Sequence, residues 1–216
     1  MRTILAYGDS NTWGVIPGSV NMQTMIFQRY GYYERWSGIV RRILGKNHVV
    51  IDEGLNGRTT VFDDPLLSNR NGASYLLPSL FSHSPIDLLI IMLGTNDLKL
   101  HLGLQAVHSA NGIHKLIKLA KSTSTGVNGT LGKILIISPP LVIEECEYFM
   151  ESLQGAARKS KQLAQHYQAV AALEKCHFIN TAQITPPSLI DGIHLDKAGH
   201  EKLGKIVAAK IESIFA

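Results

Sequence analysis

Short apolar runs alternate with segments of helical periodicity along this chain of 216 residues. The runs are rich in β-branched residues or leucine and are bounded by Gly, Pro or Ser, as buried parallel strands are. They cover residues 3–7, 49–52, 87–93 and 134–138, with a shorter fifth run at 177–180. This alternation predicts a doubly wound α/β fold with a parallel sheet of five strands.

Helical segments are expected between and after these strands. An apolar stripe from Trp36 to Leu44 stops at Gly45, a suitable residue just past a helix end. Three further helices are predicted over residues 106–120, over 151–175, and from about Asp196 onward. In an open parallel sheet, ligands bind beyond the carboxyl ends of the strands, so we expect the site at that edge.

Length and composition restrict the class of protein. The chain is long enough for one larger α/β domain, and we expect a single domain over residues 1–216. The excess of Lys and Arg over Asp and Glu gives a net charge of +4. These basic residues are scattered and lack interleaved aromatic residues, which disfavours nucleic-acid binding. No uncharged apolar stretch approaches the roughly 18 residues of a membrane span. Cys146 and Cys176 have no metal-site spacing, and no secretory segment is evident, so we expect a cytoplasmic protein.

Residues suited to acyl transfer occur near both ends of the chain. Gly8-Asp9-Ser10 directly follows the first apolar run, and Asp191-Gly192-Ile193-His194 lies near the end. A serine nucleophile needs an adjacent base, and the base needs a third group to hold its tautomer. Two glycine-bearing loops, at residues 54–57 and 94–97, contain hydrogen-bond donors for a developing oxyanion.

Four blocks of the chain resemble those of the SGNH (GDSL-type) hydrolase superfamily: Gly8-Asp9-Ser10, Gly57, Gly94-Thr95-Asn96-Asp97 and Asp191-Gly192-Ile193-His194. Longer segments at residues 7–14, 53–60, 71–76 and 91–97 are similar to the arylesterase/acyltransferase subgroup. The resemblance implies a flavodoxin-like three-layer α/β/α sandwich and an acyl-serine mechanism that needs no metal or organic cofactor. It also implies a homo-oligomer in which neighbouring subunits help to wall the site.

The resemblance also implies roles for individual residues. Ser10 is the expected nucleophile, His194 its base, and Asp191 the group that orients His194. The expected oxyanion hole consists of the N–H groups of Ser10 and Gly57 and the side-chain amide of Asn96. One departure is that Asn11 stands where the common name of the family has leucine, which affects the packing behind the nucleophile and the polarity of the pocket wall.

Each of these residues also has a structural interpretation. Gly8-Asp9-Ser10 by itself fits a turn with a capping residue, and Asp191, His194 and His200 include types that bind metals. Asn96 and Asp97 are also suited to cap the next helix, an interpretation that we favour for Asp97 alone.

Other side chains lack a partner motif. Trp13 is a candidate for the wall of the acyl pocket or a core residue. Arg58 suits either an acidic substrate group or a structural tie to Asp63 or Asp64, and we favour the tie. We expect surface or structural roles for the remaining histidines with no motif: His83, His101, His108, His114 and His166.

These observations favour a serine esterase that hydrolyses short-chain acyl (aryl or acetyl) esters of small molecules, with acyl transfer to alcohols as a further outcome. The alternatives are a non-catalytic carbohydrate or small-ligand binding protein on the same fold and a metal-dependent phosphoesterase. An apolar and aromatic cluster is expected either to seal a subunit interface, which we favour, or to fold over the core: Met25, Phe27, Tyr30, Tyr32 and Tyr33.

Overall fold

A computed structural model describes residues 1–21, 23–24, 26–146 and 151–216. Five parallel strands pair into one sheet in the order β2-β1-β3-β4-β5. They are β1 (Arg2–Gly8), β2 (His48–Gly54), β3 (Leu88–Met92), β4 (Ile134–Ser138) and β5 (His177–Asn180). All five strands that the apolar runs predict are therefore confirmed, with small differences at their ends.

Helices cover both faces of the sheet. They are α1 (Ser10–Trp13), α2 (Trp36–Leu44), α3 (Gly72–Ser82), α4 (Ala106–Lys121), α5 (Ala156–Leu173) and α6 (Lys197–Phe215). Helices α2 and α6 pack on one face, and α3, α4 and α5 pack on the other. This arrangement is the predicted three-layer α/β/α sandwich. Among the described residues, no helix has both the length and the apolar character that a membrane span requires.

Alternate residues of each strand supply the two cores. Along β1, Leu5 and Tyr7 face the layer of α3, α4 and α5, whereas Ile4 and Ala6 face that of α2 and α6. Because successive side chains of a strand point to opposite faces, both sides of the sheet are apolar. The strands therefore appear in the sequence as continuous apolar runs.

Two helices differ from the sequence predictions. Helix α3 was not predicted, because Pro78 lies inside it and proline normally disfavours a helix interior. Its first turn is capped by Asn71, whose side chain accepts the N–H of Ala73 at 2.9 Å. Helix α5 begins at Ala156 rather than at residue 151, directly after Gly155, which has a left-handed backbone with φ of 79°.

The direction in which the chain adds strands to the sheet reverses beside β1. From β1 the chain moves to β2 on one side, and it later returns to add β3 on the other side. The crevice beyond the carboxyl ends of such neighbouring strands is the usual ligand site of an open α/β sheet. Ser10 follows β1, and the segment 94–97 follows β3, so both lie at this crevice.

Candidate active site

The chain turns sharply after β1 and presents Ser10 at the start of α1. Asp9 caps this helix, since its Oδ1 accepts the N–H of Asn11 at 3.0 Å. Glycine is required at position 8, because a Cβ there would lie 2.1 Å from Oγ1 of Thr12 and 2.8 Å from the carbonyl oxygen of Met92. The cap interpretation of this motif is therefore correct for Asp9, and the same turn places Ser10 beyond the sheet edge.

Ser10, His194 and Asp191 form one hydrogen-bonded chain. Nε2 of His194 lies 2.9 Å from Oγ of Ser10, and Nδ1 lies 2.8 Å from Oδ2 of Asp191. A carboxylate only accepts hydrogen bonds, so Nδ1 carries the proton and Nε2 accepts the hydroxyl proton of Ser10. His194 and Asp191 are almost fully buried, whereas Ser10 is partly exposed. The hydroxyl thus faces the crevice with an acceptor already in place.

Asp191 is held as an ionised acceptor. Its Oδ1 receives the N–H groups of Ile193 and His194 at 3.2 and 3.0 Å, and Oδ2 also receives the N–H of Gly18 at 3.2 Å. Burial acts to raise the pKa of Asp191, but the hydrogen bond and the charge of His194, together with these backbone donors, bring the pKa below its ordinary value. The carboxylate therefore keeps its charge beside the imidazole at neutral pH.

Gly57 and Asn96 lie together in the loops after β2 and β3. Nδ2 of Asn96 donates to the carbonyl of Arg58 at 3.1 Å, which places this amide beside the residue that follows Gly57. Gly57 has a left-handed backbone with φ of 79°, where other residues are strained. Within the described residues, the N–H groups of Ser10 and Gly57 have no protein acceptor, so both remain able to donate to a ligand.

Arg58 is a structural tie, but not to the carboxylates suggested by the sequence. Its Nη1 donates to the carbonyl of Gly8 at 2.8 Å and to that of Glu53. The guanidinium also lies over the ring of Tyr7, with its central carbon 4.2 Å from the ring centre. It therefore joins the ends of β1 and β2 to the Gly57 loop.

Asp63 and Asp64, the predicted partners of Arg58, contact other residues. Asp64 binds Lys99 at 2.8 Å and His101 at 3.0 Å, which with other contacts lowers its pKa to about 2 in spite of its burial. Asp63 accepts the side-chain amide of Asn71 at 3.1 Å. The preference for Asp63 or Asp64 as partners of Arg58 is therefore wrong, because Arg58 reaches backbone carbonyls instead.

Asp97 has a structural role, but it is not a helix cap. Its two oxygens accept the N–H and the hydroxyl of Thr60 at 2.8 and 2.6 Å, and it is fully buried. Helix α4 begins later, with Gln105 and His108 forming a reciprocal cap. Asp97 therefore ties the loop after β3 to the loop after β2, and this keeps Asn96 near Gly57.

The metal interpretation finds no support in the described part of the chain. No group of three or more His, Cys, Asp or Glu side chains there is able to hold a metal ion. Nδ1 of His200 accepts the N–H of Trp36 at 3.2 Å, and burial lowers the pKa of His200 to about 3. His200 is thus a neutral core histidine.

The other histidines fill structural roles where their contacts are described. His83, His101 and His114 each contact a carboxylate, those of Glu53, Asp64 and Glu174, at distances of 2.8 to 3.0 Å. Cys146 and Cys176 are free cysteines, in agreement with the absence of a disulfide framework in the sequence.

The aromatic residues near the site do not form one cluster. Phe27 lies edge-on to the imidazole of His194, with ring centres 6.5 Å apart, whereas Tyr30 lies against His200 at 5.2 Å. Tyr32 and Tyr33 contact each other and are about half exposed. Met25 lies outside the described residues. The described members of the cluster proposed for a subunit interface thus lie in one segment between α1 and α2 but contact different partners, and the oligomer stays a prediction.

Trp13 is partly exposed at the end of α1. The guanidinium of Arg29 lies over its ring, 4.7 Å from the ring centre, and Nε of Arg29 donates to its carbonyl at 2.7 Å. Trp13 is therefore not a core residue, and its place in the acyl pocket stays a prediction.

The contacts of Asn11 at this site were not predicted from the sequence. Asn11 was expected to affect packing and pocket polarity, but its side chain is buried and binds the segment that carries His194. The available signal was a polar residue at a position where the family name has leucine.

Comparison with known proteins agrees with this architecture. A model of the GDSL-like lipase/acylhydrolase family matches residues 6–202. The chain is similar to the carbohydrate acetylesterase Est24 from Sinorhizobium meliloti, with 37% identity, a TM-score of 0.91, and coverage of 99% of this chain and 100% of the other. It is also similar to the native aryl esterase of M. smegmatis, with 36% identity, a TM-score of 0.91 and coverage of 99% of both chains.

A third solved structure, a carbohydrate acetylesterase family member from Sinorhizobium meliloti, has 33% identity, a TM-score of 0.88 and coverage of 99% of this chain and 98% of the other. No curated relative matches the chain in sequence. The fold and these matches define the class of the protein as an ester hydrolase. The chain belongs to the GDSL-like lipase/acylhydrolase family, within the SGNH hydrolase superfamily that its motifs resemble, so this prediction is confirmed.

Proposed function

We propose that this protein is a serine esterase that hydrolyses short-chain acyl (aryl or acetyl) esters through an acyl-serine intermediate. The observation that carries the proposal is the unbroken chain of hydrogen bonds from Oγ of Ser10 through His194 to Asp191. The distance of 2.9 Å between Nε2 of His194 and Oγ of Ser10 allows direct proton transfer. The distance of 2.8 Å between Nδ1 and Asp191 fixes the tautomer of the imidazole. In this proposal Ser10 is the nucleophile, His194 the general base, and Asp191 the orienting carboxylate.

The reaction takes place in two stages. Oγ of Ser10 attacks the ester carbonyl while its proton passes to Nε2 of His194, and the oxyanion accepts hydrogen bonds from the N–H groups of Ser10 and Gly57 and the amide of Asn96. The C–O bond to the alcohol then breaks, and the alcohol leaves with the proton from His194. Water then attacks the acyl carbon and loses a proton to Nε2 of His194, the bond from the acyl carbon to Oγ of Ser10 breaks, and Oγ takes the proton back from His194 as the carboxylic acid leaves.

The substrate class rests on the relatives and on the exposed face of the site. Solved relatives include a carbohydrate acetylesterase and an aryl esterase, which supports small acyl groups on a sugar or aryl alcohol. Phe27 lies edge-on to the His194 ring, so an apolar side chain borders the imidazole on that side. An alcohol that replaces water as the acceptor would give acyl transfer, and we propose this as a second outcome of the same intermediate.

A fluorophosphonate probe tests the nucleophile directly. We expect the folded wild-type protein to be labelled at Ser10 and to hydrolyse p-nitrophenyl acetate, and we expect Ser10→Ala to lose labelling and at least roughly 10⁴-fold in kcat. Ser122→Ala, at an exposed serine after α4, is the matched control and should behave as the wild type.

Two outcomes would contradict the proposal. Folded wild-type protein that is not labelled and hydrolyses no ester would support the non-catalytic binding protein instead. Activity that survives in Ser10→Ala would remove Ser10 as the nucleophile. A series of p-nitrophenyl esters from acetate to octanoate then tests the chain length, and kcat/KM should be highest for the shortest acyl groups.

A further inference from the structure

The geometry points to Asn11 as a positioning residue that holds the imidazole of His194 within reach of Oγ of Ser10. This inference rests on the proposed function, because it assigns to Asn11 a task in the same proton transfer. Asn11 is next to Ser10 in the chain, yet its side chain binds both residues that flank His194. It therefore connects the nucleophile turn to the segment of the base.

Two hydrogen bonds make this connection. Nδ2 of Asn11 donates to the carbonyl of Ile193 at 3.0 Å, and Oδ1 accepts the N–H of Leu195 at 2.9 Å. A carbonyl only accepts and an N–H only donates, so the amide has one possible orientation. The side chain is 2% exposed, so water does not replace these bonds easily.

The backbone of Asn11 is itself held firmly. Its N–H donates to Oδ1 of Asp9, and the N–H groups of Thr12 and Trp13 donate to the carbonyl of Asp9 at 3.1 and 2.9 Å. The amide group of Asn11 thus extends from a fixed turn that also carries Ser10. Movement of that turn carries the two hydrogen-bonding groups, and hence the His194 segment, along with it.

Three further contacts of the His194 segment, among the described residues, lead to other parts of the molecule. The N–H of Gly18 donates to Asp191, the N–H of Ile143 donates to the carbonyl of Gly192 at 2.9 Å, and the N–H of Ser188 donates to the carbonyl of His194 at 2.8 Å. These bonds orient the loop and the carboxylate, but none of the three starts from the turn that carries Ser10, since Gly18 lies beyond α1 and the other two residues lie much farther along the chain. Asn11 instead sets the loop directly against the turn of the nucleophile.

Leucine at this position would have a different effect. It has a similar volume, but it neither donates nor accepts, so the carbonyl of Ile193 and the N–H of Leu195 would lose their buried partner. The segment would then be free to shift by fractions of an ångström. Because the reacting atoms must be held close and aligned, a displacement of about 1 Å lowers the rate about 100-fold.

Two variants test the inference in the full-length protein. Asn11→Leu removes both hydrogen bonds, and Asn11→Asp keeps the acceptor for Leu195 while it loses the donor to Ile193. We expect kcat for p-nitrophenyl acetate to fall about 10- to 100-fold in Asn11→Leu, with KM changed by less than about twofold. The rate of fluorophosphonate labelling at Ser10 should fall by the same factor.

A spectroscopic readout separates positioning from a general loss of stability. The proton on Nδ1 of His194, hydrogen-bonded to Asp191, should give a resolved downfield resonance in the proton NMR spectrum of the wild type, and this resonance should broaden or disappear in Asn11→Leu. Asn180→Leu is the matched control, since Asn180 also lies at the carboxyl end of a strand, as the last residue of β5, but binds Ala182 and Ser138. It should keep the resonance and the wild-type kcat.

The outcomes distinguish this inference from the proposed function. If wild-type protein is labelled and active while folded Asn11→Leu and Asn11→Asp keep the wild-type kcat and resonance, the positioning role is overturned and the esterase proposal stands. If both variants fail to fold, Asn11 acts through the folding of the loop, and the inference is equally wrong. If wild-type protein is neither labelled nor active, the proposed function itself has failed.

Discussion

The two sides of the candidate site are stabilised differently. On one side, the side chains of Ser10, His194 and Asp191 are hydrogen-bonded to one another. On the other side, Gly57 and Asn96 are positioned by the backbone and by contacts of Arg58 and Asp97. His194 lies between two hydrogen-bond partners, at 2.9 and 2.8 Å. Gly57 has a left-handed backbone conformation that sets the course of its loop. Arg58 joins this loop to β1, and Asp97 joins it to the loop after β3.

This difference indicates how the two sides should respond to substitution. A chain of side chains that transfers one proton acts as a unit, so the loss of one member removes nearly all of its contribution. Three donors to an oxyanion act in parallel, so the loss of one leaves the others in place. We therefore expect large effects on the proton-transfer side and graded effects on the oxyanion side.

Asp191→Asn, on the proton-transfer side, should lower kcat more than Asn96→Ala, on the oxyanion side. The amide would place an NH₂ group against Nδ1 of His194 or against the N–H groups of Ile193 and His194 that Oδ1 accepts. In the first case the imidazole is driven to the wrong tautomer, and kcat should fall about 10⁴-fold. Steady-state kinetics with p-nitrophenyl acetate measures this loss.

The matched control is Asp87→Asn, which changes a carboxylate that accepts the N–H of Thr3 at 2.7 Å at the opposite edge of the sheet. It should leave kcat near the wild-type value. A loss of less than about tenfold in folded Asp191→Asn would mean that the three side chains do not act as a unit, and the contrast between the two sides would disappear.

Asn96→Ala should give an intermediate effect. In the proposed mechanism it removes one of three oxyanion donors, and it also removes the hydrogen bond to the carbonyl of Arg58 at 3.1 Å. We expect kcat to fall about 10²- to 10³-fold with little change in KM, because the donor acts mainly on the transition state. Labelling of Ser10 by the fluorophosphonate should continue at a reduced rate, unlike in Ser10→Ala.

The predicted result differs if Asn96 only braces its loop. In that case the loss of the hydrogen bond to the carbonyl of Arg58 would displace the whole loop, and Asn96→Ala would raise KM along with the fall in kcat. We expect KM to stay near the wild-type value, because the amide acts on the oxyanion of the transition state.

The strands could be predicted because each is buried on both faces and so appears as an apolar run between turn residues. The four predicted helices were found, and the largest boundary difference is at the start of α5, which begins at Ala156 rather than at residue 151. Helix α3 could not be predicted, because its stability comes from the cap at Asn71 and from the packing of Leu76 and Leu80, while Pro78 argues against it locally. Tertiary contacts outweigh such local signals.

The side chains that meet at the candidate site could be predicted because each lies in a motif just beyond a strand end or in the late Asp-x-x-His segment. The supporting contacts could not, because they join residues that are far apart in the chain. Asn11 and Ile193 are separated by 182 positions, and Thr60 and Asp97 by 37. Arg58 was given carboxylate partners from the sequence, whereas its partners are backbone carbonyls, which no sequence pattern marks.

The smallest expected effect concerns stability and compares one buried carboxylate from each side. Burial raises the pKa of Asp9 and that of Asp97 to about 6. Both oxygens of Asp97 accept hydrogen bonds from Thr60, whereas Oδ2 of Asp9 has no partner among the described residues. The two pKa values rise to about the same level, so the two charges cost a similar free energy, and the two positions differ in the contacts that an amide would meet.

Asp9→Asn should raise the free energy of unfolding at pH 7 by on the order of 2–3 kcal/mol. The pKa of Asp9 is higher in the folded state than its ordinary value of 3.8, so ionisation opposes folding, and wild-type stability falls through this group as pH rises from about 4 to about 6. Asparagine resembles the protonated acid and keeps the acceptor for the N–H of Asn11. The advantage of Asp9→Asn should thus be near zero at pH 4 and reach its full size above pH 6, as measured by urea unfolding across this range.

Asp97→Asn provides the comparison in the same experiment. Its amide nitrogen must face Thr60, so one of the two hydrogen bonds has to reverse its direction, and this offsets part of the gain from removing a buried charge. We expect a smaller stabilisation at pH 7 than in Asp9→Asn. Equal gains in the two variants would show that burial alone sets the cost of each charge, and that the bonds from Thr60 contribute little to holding the oxyanion side.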